Sequence, residues 1–213
     1  MEKNINQLVN IDFSLLKNCE YLNSLNIEAL NILTDKYLYE TNKSDEYKFL
    51  DIYPEPLESN DTRAELLDNE YFIYSSEEHY VSFFCDLFVK YSSQCTINTE
   101  MISMIVNQEY SLLLNEINIL DQKERMYLLH QIINVNIDYK NSSYLLINNI
   151  EVFKLIVKMS LRNSALVSKL YFDDFNLVFL KNFSLGYGGM YLNSTYLHTC
   201  EDIARKNNLF FRD

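Results

Sequence analysis

Three histidines and four cysteines are the side chains of this 213-residue chain best suited to nucleophilic or metal chemistry, and their spacing favours neither. His79, His130 and His198 are scattered, with no second His or Cys at the separation a metal site uses. Cys19, Cys85, Cys95 and Cys200 contain no C-x-x-C pair, so free buried thiols are expected rather than a zinc or redox motif. A Cys–His pair assembled in space stays open, because nucleophile and base need not be neighbours in sequence. Gly186-Tyr187-Gly188-Gly189 has the glycines of a phosphate-binding loop but neither the following Lys-Ser/Thr nor the G-x-G-x-x-G spacing. It reads as a turn joining two strands. Glu77-Glu78 and Asp173-Asp174 are adjacent carboxylates of the kind acid–base catalysis needs in pairs, yet a chain with 30 acids produces such pairs unavoidably. Glu77 and Glu78 fit the first turn of a helix, where the dipole stabilises negative charge. Asp173-Asp174 fits the close of a helix before a strand. No catalytic residue, cofactor or metal ligand is therefore expected, and the chain does not read as an enzyme.

What stands out is charge. Thirteen Asp and Glu residues between Asp35 and Glu78 face only Lys36, Lys43, Lys48 and Arg63, a local net of −9 within a total of −12. Such a surface repels phosphate backbones and anionic lipid and attracts basic proteins. No basic cluster follows a nucleic acid: Lys123-Glu124-Arg125 and Arg205-Lys206 are the densest pairs, and each sits beside acid or neutral residues. Inside the acidic stretch, Tyr47, Phe49, Leu50, Ile52, Tyr53 and Leu57 interleave with Asp45, Glu46, Asp51, Glu55 and Glu58. Apolar anchors in a negative field describe a protein-binding surface. The expected contact residues are Asp45, Glu46, Asp51, Tyr53, Glu55, Glu58, Asp61, Glu77 and Glu78, and the expected partner is a basic protein domain.

Both prolines lie in Pro54-Glu55-Pro56 and all three glycines in 186–189, so the rest of the chain runs without a strong breaker. That texture predicts a mainly α fold, a helical bundle or short helical solenoid, with a small β element at about 174–211 and an acidic loop excursion at 41–60, all in one domain spanning 1–213. Helices are expected over Ile5–Leu16 and from Leu22 to about Tyr39. Ser75 with Glu78 has capping-box spacing ahead of the stripe Tyr80, Phe84, Leu87, Phe88 and Tyr91. Asn98 is the expected cap of a helix running towards Asn118, Asp121 with Glu124 repeats the capping box, and Ser142 or Ser143 opens a further helix. Asp174 to Leu180 alternates as a short strand, Tyr191 and Leu192 start a second, Asn193 or Ser194 caps a helix to about Lys206, and Leu209 to Phe211 adds a last strand. No apolar run approaches a membrane span and no leader precedes the first helix, so a cytoplasmic protein is expected.

In size, in acidity and in its closing stretch Cys200-Glu201-Asp202-Ile203-Ala204-Arg205-Lys206-Asn207-Asn208-Leu209-Phe210-Phe211-Arg212, the chain resembles the immunity proteins encoded beside bacterial polymorphic toxins, including those of contact-dependent growth inhibition. The resemblance implies an antitoxin that covers the basic cleft of a toxin domain, typically a nuclease. It carries over no individual residue. The alternative is a viral host-interaction protein, a Bcl-2-like helical inhibitor that binds an amphipathic partner helix in an apolar groove.

Overall fold

The computed structural model describes residues 47–58, 60–91, 93–133, 144–162, 166–172, 177–181, 187–191 and 194–212. The helices expected over Ile5–Leu16 and Leu22–Tyr39 lie outside these residues, as do Asp45, Glu46, Ser142, Ser143, Asp173, Asp174 and Gly186.

The described residues build a seven-stranded sheet rather than a helical bundle with a small β appendage. Its strands are β1 (Tyr47–Asp51), β2 (Cys95–Thr99), β3 (Tyr144–Ile147), β4 (Val167–Phe172), β5 (Leu177–Lys181), β6 (Tyr187–Tyr191) and β7 (Phe210–Arg212). The order across the sheet is β3-β2-β4-β5-β6-β1-β7, and every neighbouring pair is antiparallel. Between them run a 3-10 helix (Thr62–Asp68) and the helices α1 (Glu70–Lys90), α2 (Met101–Val106), α3 (Tyr110–Ile117), α4 (Gln122–Ile133), α5 (Ile150–Leu161) and α6 (Ser194–Lys206). No helix among the described residues is long and apolar enough to cross a membrane.

The expectation of a mainly α fold fails for a physical reason. Strands buried on both faces lose the polar alternation that marks a strand, and short apolar runs then read like pieces of buried helix. In β3, Leu145, Leu146 and Ile147 are all buried, and in β5 Leu177, Val178, Phe179 and Leu180 are all buried. The supposed acidic loop at 41–60 contributes β1, which pairs with β6 on one side and β7 on the other. The described glycines are in a strand, not a turn: Gly188 and Gly189 lie within β6, opposite Phe49 and Lys48 of β1 and Leu180 and Phe179 of β5, and neither has positive φ. A glycine inside a paired strand leaves room for bulky neighbours such as Phe49, Leu180 and Phe179.

Register places Ile97, Leu170 and Phe179 in one cross-strand row, with Phe172 opposite Leu177 and Leu50 opposite Phe211. This face carries the core. From α1, Phe83 and Phe84 meet Phe179 edge-on at 5.7 and 5.1 Å, and Phe84 stacks on Phe172 at 6.5 Å. From α5, Phe153 meets Phe172 edge-on at 5.9 Å and stacks on Phe88 of α1 at 4.7 Å. Aromatic pairs at these separations add about 0.5–1.5 kcal/mol each beyond the area they bury.

Helix ends show which local signals decided the chain's course. α1 is capped by Asn69, whose side chain accepts from Phe72 N at 3.2 Å, so the Ser75–Glu78 spacing is not a cap. Ser75 lies inside the helix and its hydroxyl donates back to the Phe72 carbonyl at 2.8 Å. The Asp121 capping box does form: Asp121 Oδ1 accepts from Lys123 N and Glu124 N at 2.8 and 2.9 Å, and Glu124 Oε2 accepts from Asp121 N at 3.2 Å. Asn98 belongs to β2 and caps nothing; Thr99 Oγ1 accepts from Met101 N at 3.2 Å ahead of α2. The single helix expected up to Asn118 breaks into α2 and α3, with Gln108 at φ 60° between them. Strand β3 precedes α5, whose cap is Asn149, accepting from Glu151 N and Val152 N at 2.9 and 3.1 Å. The C-terminal helix and strand occur where the sequence places them, and Asn208 at φ 56° ends α6 with Leu209 N donating to the Ala204 carbonyl at 2.8 Å.

Candidate partner-binding face

Seven of the nine expected contact residues lie within the described chain, and the fold sorts them into two groups. Asp51, Asp61 and Glu77 are engaged by arginines of the protein itself. Glu55, Glu58 and Glu78 are exposed. Tyr53 is half-buried between the two groups.

Asp51 ends β1, where Oδ2 accepts from Arg212 Nε and Nη2 at 3.0 and 2.6 Å, fastening β1 to β7. Its other oxygen accepts from Tyr53 N at 3.2 Å, which turns the chain out of the sheet. The Tyr53 ring lies nearly parallel to Phe72 of α1 at 6.5 Å, and the Arg63 guanidinium sits 5.2 Å from its centroid. Asp61 holds that arginine: its carboxylate accepts from Arg63 Nε and Nη2 and its Oδ1 also takes the Arg63 N–H at 2.9 Å, capping the 3-10 helix. These side-chain and backbone hydrogen bonds from Arg63 draw the Asp61 carboxyl below its ordinary range. The segment after β1 is thus folded back on α1 by an aromatic and ionic clasp.

Glu77 departs most from expectation. It lies two turns inside α1, not in the first turn, with its side chain 5% exposed. Arg162, at the end of α5, donates Nε and Nη2 to the two Glu77 oxygens at 2.6 and 2.9 Å and Nη1 to the Ile119 carbonyl at 2.8 Å. Lys158 stands 3.9 Å from Glu77 and donates to Glu124 of α4 at 2.7 Å. Burial opposes the charge on Arg162, but the hydrogen bond and field of Glu77 outweigh it, so the guanidinium is held more firmly protonated than usual. Glu77 joins α1 to α5, and its side chain is almost fully buried.

The same geometry brings forward residues that charge counting passed over. Tyr71 is 83% exposed and Tyr74 50% exposed on α1, with Glu78 exposed one turn further along. At 100° per residue these three positions share the side of the helix opposite the buried stripe of Tyr80, Phe84 and Leu87. Leu66 and Glu65, on the 3-10 helix packed against α1, are exposed as well. Arg162 spans the inside and the outside of this face, since the guanidinium that clamps Glu77 lies 4.9 Å from the centroid of the Tyr74 ring. The signal was legible: the i, i+3, i+7 spacing of Tyr71, Tyr74 and Glu78 follows once α1 is known to begin at Glu70.

The other reactive side chains are dispersed. Among the described residues no group of three His, Cys, Asp or Glu is placed to hold a metal. His130 and His198 are exposed and His79 is half-buried. Burial pushes the thiol of Cys85 up to about 11 and that of Cys200 to about 12, and raises that of Cys95 well above the ordinary range, so none of the three is a ready thiolate.

Comparison of the chain with protein families, with curated proteins and with solved structures gives no match in any of the three.

Proposed function

We propose that this protein binds and neutralises a basic protein domain, in the manner of the immunity proteins it resembles, and that the exposed side of α1 with the segment before it makes the contact. The observation that carries this reading is two exposed tyrosines, Tyr71 and Tyr74, on the same side of α1 as the exposed Glu78, with exposed carboxylates at Glu55, Glu58 and Glu65 in the segment leading into that helix. Aromatic anchors ringed by charge of one sign are the composition of an interface that steers an oppositely charged partner and then desolvates against it. A toxin nuclease fits, because a cleft built to hold phosphates is basic. The site of action would be the cytoplasm of the producing cell. The reading as a Bcl-2-like inhibitor required a helical scaffold and is not carried further, since the described residues build a sheet.

The experiment is to express the products of the neighbouring genes, to test each basic domain among them for binding, and to measure binding kinetics at several salt concentrations, and the absence of any such binding partner would count against the reading. Glu55, Glu58 and Glu78 are the acids to convert to Lys together. Asp51 is left alone because its loss would free Arg212 and loosen β7. The triple variant is expected to fold normally, to associate at least about tenfold more slowly at low salt, and to lose most of the salt dependence. Unchanged rates and salt dependence in the triple variant would remove this face from the function.

A further inference from the structure

Between α4 and α5 lies an open cleft of about 350 Å³ whose floor is Leu155 and Tyr127 and whose walls carry Lys123, Lys154 and Lys158. That volume is at the small end of ligand pockets, which typically combine an apolar floor with a few convergent polar groups. In a protein of net charge −12 this cleft collects three ammonium groups against two carboxylates, Glu124 and Glu151. The lysines come from two places. Lys154 and Lys158 are one turn apart on α5, and Lys123 opens α4 directly after the Asp121 cap.

The two carboxylates leave most of the donor capacity unused. Lys154 donates to Glu151 at 2.8 Å and Lys158 to Glu124 at 2.7 Å, and an ammonium group has three donors. The side chain of Lys123 is exposed and has no ion-pair partner among the described residues, and the Tyr127 hydroxyl likewise has no hydrogen bond there. The hydrogen bond that Lys154 donates to Glu151 keeps its ammonium charged, while at Lys158 burial works against the charge and Glu124 and Glu77 outweigh it. Burial, helped by Glu151, raises the Tyr127 hydroxyl, which therefore stays a neutral donor. Glu151 is largely exposed, so its pair with Lys154 is of the kind that yields readily to a better acceptor.

We infer that this cleft binds the phosphate group of a small molecule, with Lys123, Lys154 and Lys158 around the oxyanion and Tyr127 and Leu155 against the body that bears it. Phosphate oxygens are strong acceptors able to take donors from all three lysines and the tyrosine at once. This site shares no lining residue with the partner-binding face, although Lys154 feels the charge of Glu78 there and Lys158 stands 3.9 Å from Glu77.

The test is calorimetric titration of the purified protein with pyrophosphate, and with inorganic phosphate, in buffer of constant ionic strength. Pyrophosphate is expected to bind at one site. The double variant Lys123→Gln/Lys154→Gln, which spares the Glu77 network, should weaken it by about tenfold or more, as charge-assisted bonds to two of three lysines are lost. Glu151→Gln should tighten it by removing the competing carboxylate, and Lys90→Gln, outside the cleft, should leave it unchanged. Circular dichroism of each variant checks the fold. Absence of pyrophosphate binding, an equal loss in Lys90→Gln, or weakening by Glu151→Gln would each overturn the assignment.

Discussion

Arg162 and Glu77 stand 85 residues apart in the chain and meet through two charge-assisted hydrogen bonds of 2.6 and 2.9 Å. The pair is nearly out of solvent, at 15% and 5% side-chain exposure, and it joins α5 to α1 while the third nitrogen of the guanidinium holds the Ile119 carbonyl before α4. Water cannot replace either partner there, and the next cation to Glu77, Lys158 at 3.9 Å, is already bonded to Glu124. Removing either member leaves the other buried and poorly compensated.

Arg162→Ala is accordingly expected to destabilise the protein by about 3–5 kcal/mol, and Glu77→Ala by a similar amount, read from urea unfolding midpoints at constant slope. Arg162→Met combined with Glu77→Met should recover a large part of that loss, because replacing both members by apolar groups removes the desolvation problem. A double variant as unstable as the two single changes added together would show that the residues do not act as a pair.

The same pair marks the limit of what the sequence discloses. Local features were legible: the Asp121–Glu124 cap rests on contacts between near neighbours, the stripe of Tyr80, Phe84 and Leu87 has helical spacing, and α6 and β7 carry their own local patterns although β7 pairs with the distant β1. The sheet was not legible, since Leu145 to Ile147 and Leu177 to Leu180 are buried on both faces and carry no alternation. The candidate face was half legible. The density of acids gives the sign of the proposed partner, but the arginines that engage Asp51 and Glu77 arrive from 161 and 85 residues away, and no local pattern announces them.

Lys181, at the end of β5 opposite Tyr187, gives the fold a pH dependence on the alkaline side. Burial draws its ammonium group from the ordinary 10.5 down to about 8. Below pH 8 folded and unfolded chains both hold the proton, and the folded state bears a constant cost of burying it. Between about 8 and 10.5 the unfolded chain binds more protons, so stability rises with pH, and above that range it levels off. Lys181→Met removes the rise. At about 1.4 kcal/mol per unit, the variant gains at most about 3 kcal/mol at pH 7, an upper bound because Lys181 also makes an interaction that methionine lacks. Unfolding measured from pH 7 to 11 should show the two proteins converging; parallel curves would mean that Lys181 keeps its ordinary affinity for the proton.

Tyr71 and Tyr74 separate binding from folding. Tyr71 is 83% exposed, so Tyr71→Ala should leave stability within about 0.5 kcal/mol of the parent. Tyr74 covers the Arg162 guanidinium at 4.9 Å, and Tyr74→Ala should cost about 0.5–1 kcal/mol through that lost contact. Against the basic partner both changes are expected to cost about 2 kcal/mol or more, near thirtyfold in Kd, as aromatic anchors at the centre of an interface do. Because Arg162 fixes the Tyr74 ring from below, Arg162→Lys should weaken binding in the parent and have a smaller effect once Tyr74 is already alanine. A binding loss from Arg162→Lys that is the same in both backgrounds would place Arg162 in the fold alone, and full affinity in Tyr71→Ala/Tyr74→Ala would move the interface away from α1.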